Sequence, residues 1–158
     1  MTIKAGDRIP DATLYTMGKE GPQPVATKDI FTGRKVVLFA VPGAFTPTCS
    51  NAHLPGFVVN ADKIKAKGVD TIACVAVNDA FVMGAWGKAQ NAEEILMLGD
   101  GAGDFTRAIG MELDLRARGL GVRSQRYAMI VDNGVVKSVE VDAAKLEKSS
   151  AEHVLTQL

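Results

Sequence analysis

Lys35-Val36-Val37-Leu38-Phe39-Ala40-Val41 runs without a gap into Pro42-Gly43-Ala44-Phe45-Thr46-Pro47-Thr48-Cys49. The first part is β-branched and aromatic and reads as a buried strand. Pro42-Gly43 breaks it. Pro47 keeps Thr46 out of the α region, so Thr46 is extended and suits an N-cap. Pro47 itself suits the first helical position, where its missing N–H is no loss. The stretch therefore predicts strand, turn and helix, with Cys49 in the first helical turn.

That placement has a chemical consequence. The free N–H groups and the positive end of the helix dipole favour an anion. A thiolate is an anion, so the placement predicts a Cys49 pKa below the free value of about 8.5 and a nucleophilic sulfur at neutral pH. The competing reading is a small Cys that only packs. The junction of strand, turn and helix, with proline on both sides, favours the reactive one.

Working outward, the 158 residues predict one domain over 1–158, and a 47% hydrophobic content supports a core. Lys and Arg number 18 against 18 Asp and Glu, so no strong field points to nucleic acid or an anionic membrane. Met1-Thr2-Ile3-Lys4-Ala5-Gly6-Asp7 has no apolar core of a secretory signal, and no apolar run reaches membrane-spanning length. The expectation is a cytoplasmic protein with reduced thiols; a processed organellar form has the same composition. The two Cys, Cys49 and Cys74, and two His show no zinc spacing, so no metal is expected.

Along the chain, the first 30 residues are rich in Gly, Pro and Asp and read as a wrapped surface segment, with a short strand at Ala12-Thr13-Leu14-Tyr15 as the one exception. Pro55 should kink or interrupt the helix after Cys49. Beyond it Phe57, Val58, Ala61 and Ile64 follow helical spacing up to Gly68. Val69 to Val77 reads as a second buried strand, and Asp79 as the cap of a helix presenting Phe81, Val82, Ala85 and Trp86. Ile95 to Leu98 is a third strand. Gly99-Asp100-Gly101-Ala102-Gly103-Asp104 lacks phosphate-loop spacing and reads as a turn. A short helix with Phe105, Ala108 and Ile109 ends at Gly110. Asp114 to Gln125 reads as a loop. Arg126 to Val131 is a fourth strand, Asn133-Gly134 a hairpin turn, and Val135 to Val141 the returning strand. Ser149-Ser150-Ala151-Glu152 reads as a capping box before a last helix with Ala151, Val154, Leu155 and Leu158 inward. Strands alternating with helices, then a hairpin and a closing helix, predict an α/β or α+β layered domain.

Pro42, Thr46 and Cys49, in the order P-x-x-x-T-x-x-C, resemble the active-site loop of the peroxiredoxins. The longer string VPGAFTPTCSNAHLPGF, Val41 to Phe57, is similar to the peroxiredoxin 5, or type II, subfamily. The likeness extends to Cys74-Val75-Ala76-Val77-Asn78-Asp79, to Phe81-Val82-Met83-Gly84-Ala85-Trp86 and to Arg126 through Gly134. The resemblance implies a thioredoxin-like fold with a central mixed sheet flanked by helices, and N-terminal strands packed at the edge of the core. It implies a thiol peroxidase that needs no bound cofactor, and a homodimer packing near the site loop, with Phe45 and Trp86 in structural roles.

Carried onto single residues, the resemblance makes Cys49 the nucleophile that becomes a sulfenic acid. Thr46 either donates to the peroxide, as the resemblance implies, or caps the N–H of Cys49. Arg126 opens a strand apolar on both faces and so must be paired or functional, unless it reaches solvent at the strand end. Arg118 and Arg123 are its competitors, and the resemblance, in which the family's Arg stands just before an aromatic residue, implies Arg126, which precedes Tyr127. Pro42 ends the strand and, by resemblance, shields the sulfur. His53, four residues past Cys49, either assists proton transfer or thiolate formation, or packs. His153 has no assigned part.

Cys74, amid Ile72, Val75 and Val77, is by default a buried small hydrophobe. Some plant members of the family carry a Cys at the matching place and pair it with the nucleophile; others use a C-terminal Cys that is absent here, where Ser149 and Ser150 lie. Freeing Cys74 means opening a buried strand. The expected reductant is thus external, glutathione with glutaredoxin. The alternatives are a thioredoxin-recycled Cys49–Cys74 disulfide and a non-enzymatic redox relay. A C-x-x-C exchange site is missing, since Thr46 occupies the paired position. Hydrogen peroxide and organic hydroperoxides are the expected substrates, with Phe45 and Leu120 as apolar neighbours for an alkyl group.

Overall fold

The computed structural model describes residues 2–143 and 145–158. In chain order the elements are β1 (Thr13–Gly18), β2 (Gly21–Ala26), α1 (Thr27–Phe31), β3 (Lys35–Ala40), a π-helical turn (Cys49–His53), α2 (Leu54–Ala66), β4 (Thr71–Ala76) and α3 (Ala80–Ala89). Then follow β5 (Leu96–Gly99), α4 (Asp104–Ala108), β6 (Glu112–Leu115), a 3-10 turn (Arg116–Arg118), β7 (Gly121–Ser124), β8 (Arg126–Asp132), β9 (Val135–Asp142) and α5 (Ala151–Gln157).

A seven-stranded sheet has the order β2-β1-β5-β4-β3-β8-β9. β3 pairs parallel with β4 and antiparallel with β8, so the sheet is mixed. The apolar run of β3 sits at its middle and is buried on both faces, which is why it shows no alternation. Val37, Phe39 and Val41 face one core layer with Ile72, Cys74, Ala128 and Ile130, covered by α2, α3 and α5. Val36, Leu38 and Ala40 face the other with Ala73, Val75, Tyr127 and Met129, covered by α1 and α4. The hairpin turn at Asn133-Gly134 has positive φ at both residues, 50° and 79°, as a two-residue turn of this hand requires.

Four sequence expectations are corrected. The N-terminal segment is not merely a wrapped surface: β1 and β2 form an antiparallel hairpin on the sheet edge, with Leu14 fully buried. Its glycines and prolines had masked the strand pattern. Asp114 to Gln125 is not a loop, because β6 and β7 pair from Glu112↔Ser124 to Leu115↔Gly121. Those strands are short and polar, so no hydrophobic period marks them. On α3 the inward residues are Ala80, Met83, Trp86 and Gly87, while Phe81 is 62% exposed. The buried Trp86 indole fixes the rotation of that helix. The cap of α5 is Ser150, whose hydroxyl accepts from His153 N–H at 3.2 Å, one residue later than the box predicted. Ser149 is occupied elsewhere, as described below.

Candidate active site

The Pro42–Thr46 turn leaves the carboxyl end of β3 and is held at several points. Ala44 N–H donates to Asn78 Oδ1 at 3.0 Å. The Pro42 carbonyl accepts from Arg123 Nη1 at 3.5 Å, and Arg123 Nε donates to the Leu120 carbonyl at 2.7 Å, tying the β6–β7 hairpin to the turn. Phe45 takes a φ of 65°, a conformation that non-glycine residues adopt at a cost, and its ring is 56% exposed. Beneath it the Trp86 ring lies at a centroid distance of 6.4 Å.

Helical backbone starts at Pro47, and Ser50 N–H donates to the Thr46 carbonyl at 2.9 Å. The predicted helix start thus stands, with Cys49 in the first turn. Thr46 does not cap it through its side chain: the Thr46 hydroxyl donates to the Gly43 carbonyl at 2.7 Å. Pro55 has no N–H to offer the Asn51 carbonyl, and the expected interruption takes the form of a π turn. Leu54 N–H bonds the Cys49 carbonyl five residues back, and Pro55 sits in the first turn of the α-helix that follows. Trp86 Nε1 donates to Ser50 Oγ at 3.0 Å and so pins the turn that carries Cys49.

Cys49 is fully buried. Arg126 reaches it from the start of β8, one residue beyond the last β3–β8 pair, Ala40↔Tyr127. Arg126 Nη2 donates to Cys49 Sγ at 3.1 Å. Its side chain is only 7% exposed, so the reading of a solvent-seeking strand-end Arg does not hold. Arg123 binds backbone carbonyls instead, and Arg118 lies exposed in the 3-10 turn. Among the described residues no carboxylate comes within 4.0 Å of Arg126. Its charge therefore acts on the sulfur without being cancelled by an acid.

The second Arg126 amine meets His53, with Nη1 2.8 Å from Nδ1. His53 Nε2 lies 2.9 Å from the Ser149 carbonyl. A guanidinium only donates and a carbonyl only accepts, so Nδ1 is the acceptor and Nε2 carries the proton. Burial, and then the Arg126 charge, lower the His53 pKa to about 3. His53 is therefore neutral and buried, packed over Phe39 at 5.0 Å and Phe57 at 5.7 Å. It does not assist thiolate formation through a positive charge of its own, and it is not a surface residue.

Sequence reading missed Ser149 and Asp142. Asp142 ends β9 directly opposite Arg126 in register. Its carboxylate accepts from Ser149 N–H at 2.8 Å, Ser149 Oγ at 2.7 Å, Glu147 N–H at 2.9 Å and Lys148 N–H at 3.0 Å. Burial raises its pKa, but these donors outweigh burial and bring it down to about 2. No local pattern could have exposed the chain, because its links span 73 and 96 residues.

Cys74 lies mid-strand in β4, fully buried in the same core layer as Cys49. Burial, reinforced by the nearby Cys49, pushes its thiol well up. No group of three or more His, Cys, Asp or Glu among the described residues is arranged to hold a metal.

A family model described as Redoxin matches residues 4–155. Peroxiredoxin-2E-2 of Oryza sativa subsp. japonica, a chloroplastic protein, is 51% identical over 99% of this chain and 73% of its own length. This chain is a type II peroxiredoxin. The reduced Prx3 of Vibrio vulnificus, crystallised with hydrogen peroxide, superposes with a TM-score of 0.95 at 59% identity over 99% of each chain. Peroxiredoxin 5 of Alvinella pompejana gives a TM-score of 0.86 at 42% identity, covering 98% of this chain and 96% of its own. Membership makes the protein a thiol peroxidase with a thioredoxin-like fold, as the P-x-x-x-T-x-x-C loop implied.

Proposed function

We propose that this peroxiredoxin reduces hydrogen peroxide and organic hydroperoxides through Cys49 and is recycled by glutathione with glutaredoxin. The observation that carries the reading is the Arg126 Nη2 to Cys49 Sγ contact of 3.1 Å within an apolar layer. A cation there favours the thiolate and stabilises the charge that spreads over sulfur and two oxygens as the O–O bond breaks. The thiolate takes the terminal peroxide oxygen and becomes a sulfenic acid; the other oxygen leaves with a proton as water or an alcohol. Glutathione then displaces water from the sulfenic sulfur, and a second thiol releases glutathione disulfide. The electrons come from the thiols, so no bound cofactor takes part.

Thr46 joins this reading by turning its hydroxyl from the Gly43 carbonyl to the peroxide. Pro42 closes the site against water. The exposed Phe45 and Leu120 offer an alkyl group an apolar approach, and Arg123 ties the Leu120 carbonyl to the site turn. The same exposure of Phe45, with that of Phe81 on α3, supports a homodimer that covers this face. A reducing compartment suits the free thiols, either the cytoplasm or an organelle such as that of the rice relative.

One observation favours a second route. Cys49 and Cys74 share one buried cluster, as a Cys49–Cys74 disulfide reduced by thioredoxin would need. Intact mass after one equivalent of peroxide separates the two. Addition of one oxygen, then of glutathione when it is supplied, supports external resolution. Loss of two hydrogens in the parent protein but not in Cys74→Ser overturns it in favour of the internal disulfide. Peroxide consumption by Cys49→Ser would remove both.

A further inference from the structure

We propose that Asp142 is a positioning residue for the reacting cysteine, acting through Ser149 and His53 on Arg126. The inference rests on the peroxidase reading above and adds to it the part of the molecule that aims the guanidinium. Four groups form a closed ring: Arg126 to His53 at 2.8 Å, His53 to Ser149 at 2.9 Å, Ser149 to Asp142 at 2.8 Å, and Asp142 back to Arg126 across one β8–β9 pairing. All four are at least nine-tenths buried, so water does not substitute for a lost link.

The physical logic lies in what each link does with charge. A carboxylate bonded directly to Arg126 would orient it but would also neutralise the field at Cys49. Neutral His53 orients one amine through a lone pair and leaves the full positive charge for the sulfur. That requires the Nδ1 lone pair to face Arg126, hence a proton on Nε2 and an acceptor placed to receive it. The acceptor is a backbone carbonyl in the turn between β9 and α5. A turn does not hold a carbonyl still unless something anchors it. Asp142 supplies the anchor, taking the N–H groups of Glu147, Lys148 and Ser149 and the Ser149 hydroxyl on its two oxygens. The negative charge is thereby spent on the turn and forms no ion pair with the guanidinium among the described residues.

The test uses the full chain in a Cys74→Ser background, so that one thiol reports. For Asp142→Ala, we expect Cys49 alkylation by iodoacetamide to shift its pH midpoint upward. We also expect the second-order rate of Cys49 oxidation by hydrogen peroxide to fall about tenfold, the scale of one buried hydrogen bond lost. A purely structural role would lower the melting temperature and leave the alkylation profile in place; that result overturns the proposal. If Asp142→Ala does not fold, Asp142→Asn decides: it keeps the shape and one acceptor oxygen but cannot accept from all four donors of the Glu147–Ser149 turn, and it should move the alkylation midpoint upward. An unchanged midpoint in a folded Asp142→Asn overturns the proposal. Alkylation needs no peroxide, so a midpoint that shifts as expected in a protein that never turns over would sink the peroxidase reading and spare the positioning.

Discussion

Cys49 and Cys74 are both fully buried and share one apolar layer, yet their surroundings differ. Cys49 lies where a strand gives way to a helix, and Arg126 reaches over the end of β3 to touch it. Cys74 lies mid-strand, opposite Phe39 in register, and burial drives its thiol up and away from ionisation. Burial alone therefore says little about a thiol; what matters is whether the chain delivers a cation to it. The open ends of strands can receive one, whereas the middle of a sheet, filled by neighbours on both faces, cannot.

The sharpest way to break this comparison is to exchange the sulfurs for oxygen. Cys49→Ser should abolish thiol-supported peroxide consumption, followed by peroxide loss in a coupled or direct assay; retained turnover would mean that the buried strand thiol does the work. Next in size is the cation. Arg126→Ala should slow Cys49 oxidation by on the order of 10²–10³, the usual loss for one pre-aimed donor, as followed by rapid-mixing kinetics. An unchanged rate would show that the turn around Cys49 suffices.

Acid should reveal the neutral His53. Its native pKa is about 3, against about 6.5 in an unfolded chain. Between these values the unfolded chain binds a proton that the native state refuses. The native state therefore loses stability as pH falls below about 6.5, by up to about 1.4 kcal/mol per pH unit. Asp142, at about 2, begins to lose its contribution only below about pH 4, its unfolded range. Denaturant melts between about pH 4.5 and 6 should thus show a shallower slope in His53→Asn than in the parent. The smallest effect belongs to Cys74→Ser, which should change glutathione-supported turnover by less than about twofold, since no reacting group is removed. A larger loss would shift Cys74 from the structural to the redox side of the comparison.

The site was legible in the sequence where its signals are local. Pro42, Thr46, Pro47 and Cys49 lie within eight consecutive positions, and the strand before them is apolar throughout. Arg126 was legible for another reason: a charge opening a strand with two apolar faces demands a partner. His53 was in view, but its state was not, because neutrality follows from burial against Phe39 and Phe57 and from the facing guanidinium. The β6–β7 hairpin and the exposed face of α3 were misread because short polar strands carry no period and a helix face is set by what it packs against.

The sequence by itself determined the layered α/β class, the strand–turn–helix junction, the interruption at Pro55 and the placement of Cys49 in the first helical turn. These rest on backbone preferences and on periodicity, which act over a few residues. Only the tertiary structure decided that Thr46 turns its hydroxyl to Gly43, that Trp86 holds Ser50, and that Arg126, His53, Ser149 and Asp142 close one ring. Those links join β8, the π turn, the last turn of the chain and β9. A hydrogen bond between residues 73 or 96 positions apart leaves no trace in local pattern, because it is the pairing of strands and the packing of helices that bring its two ends together.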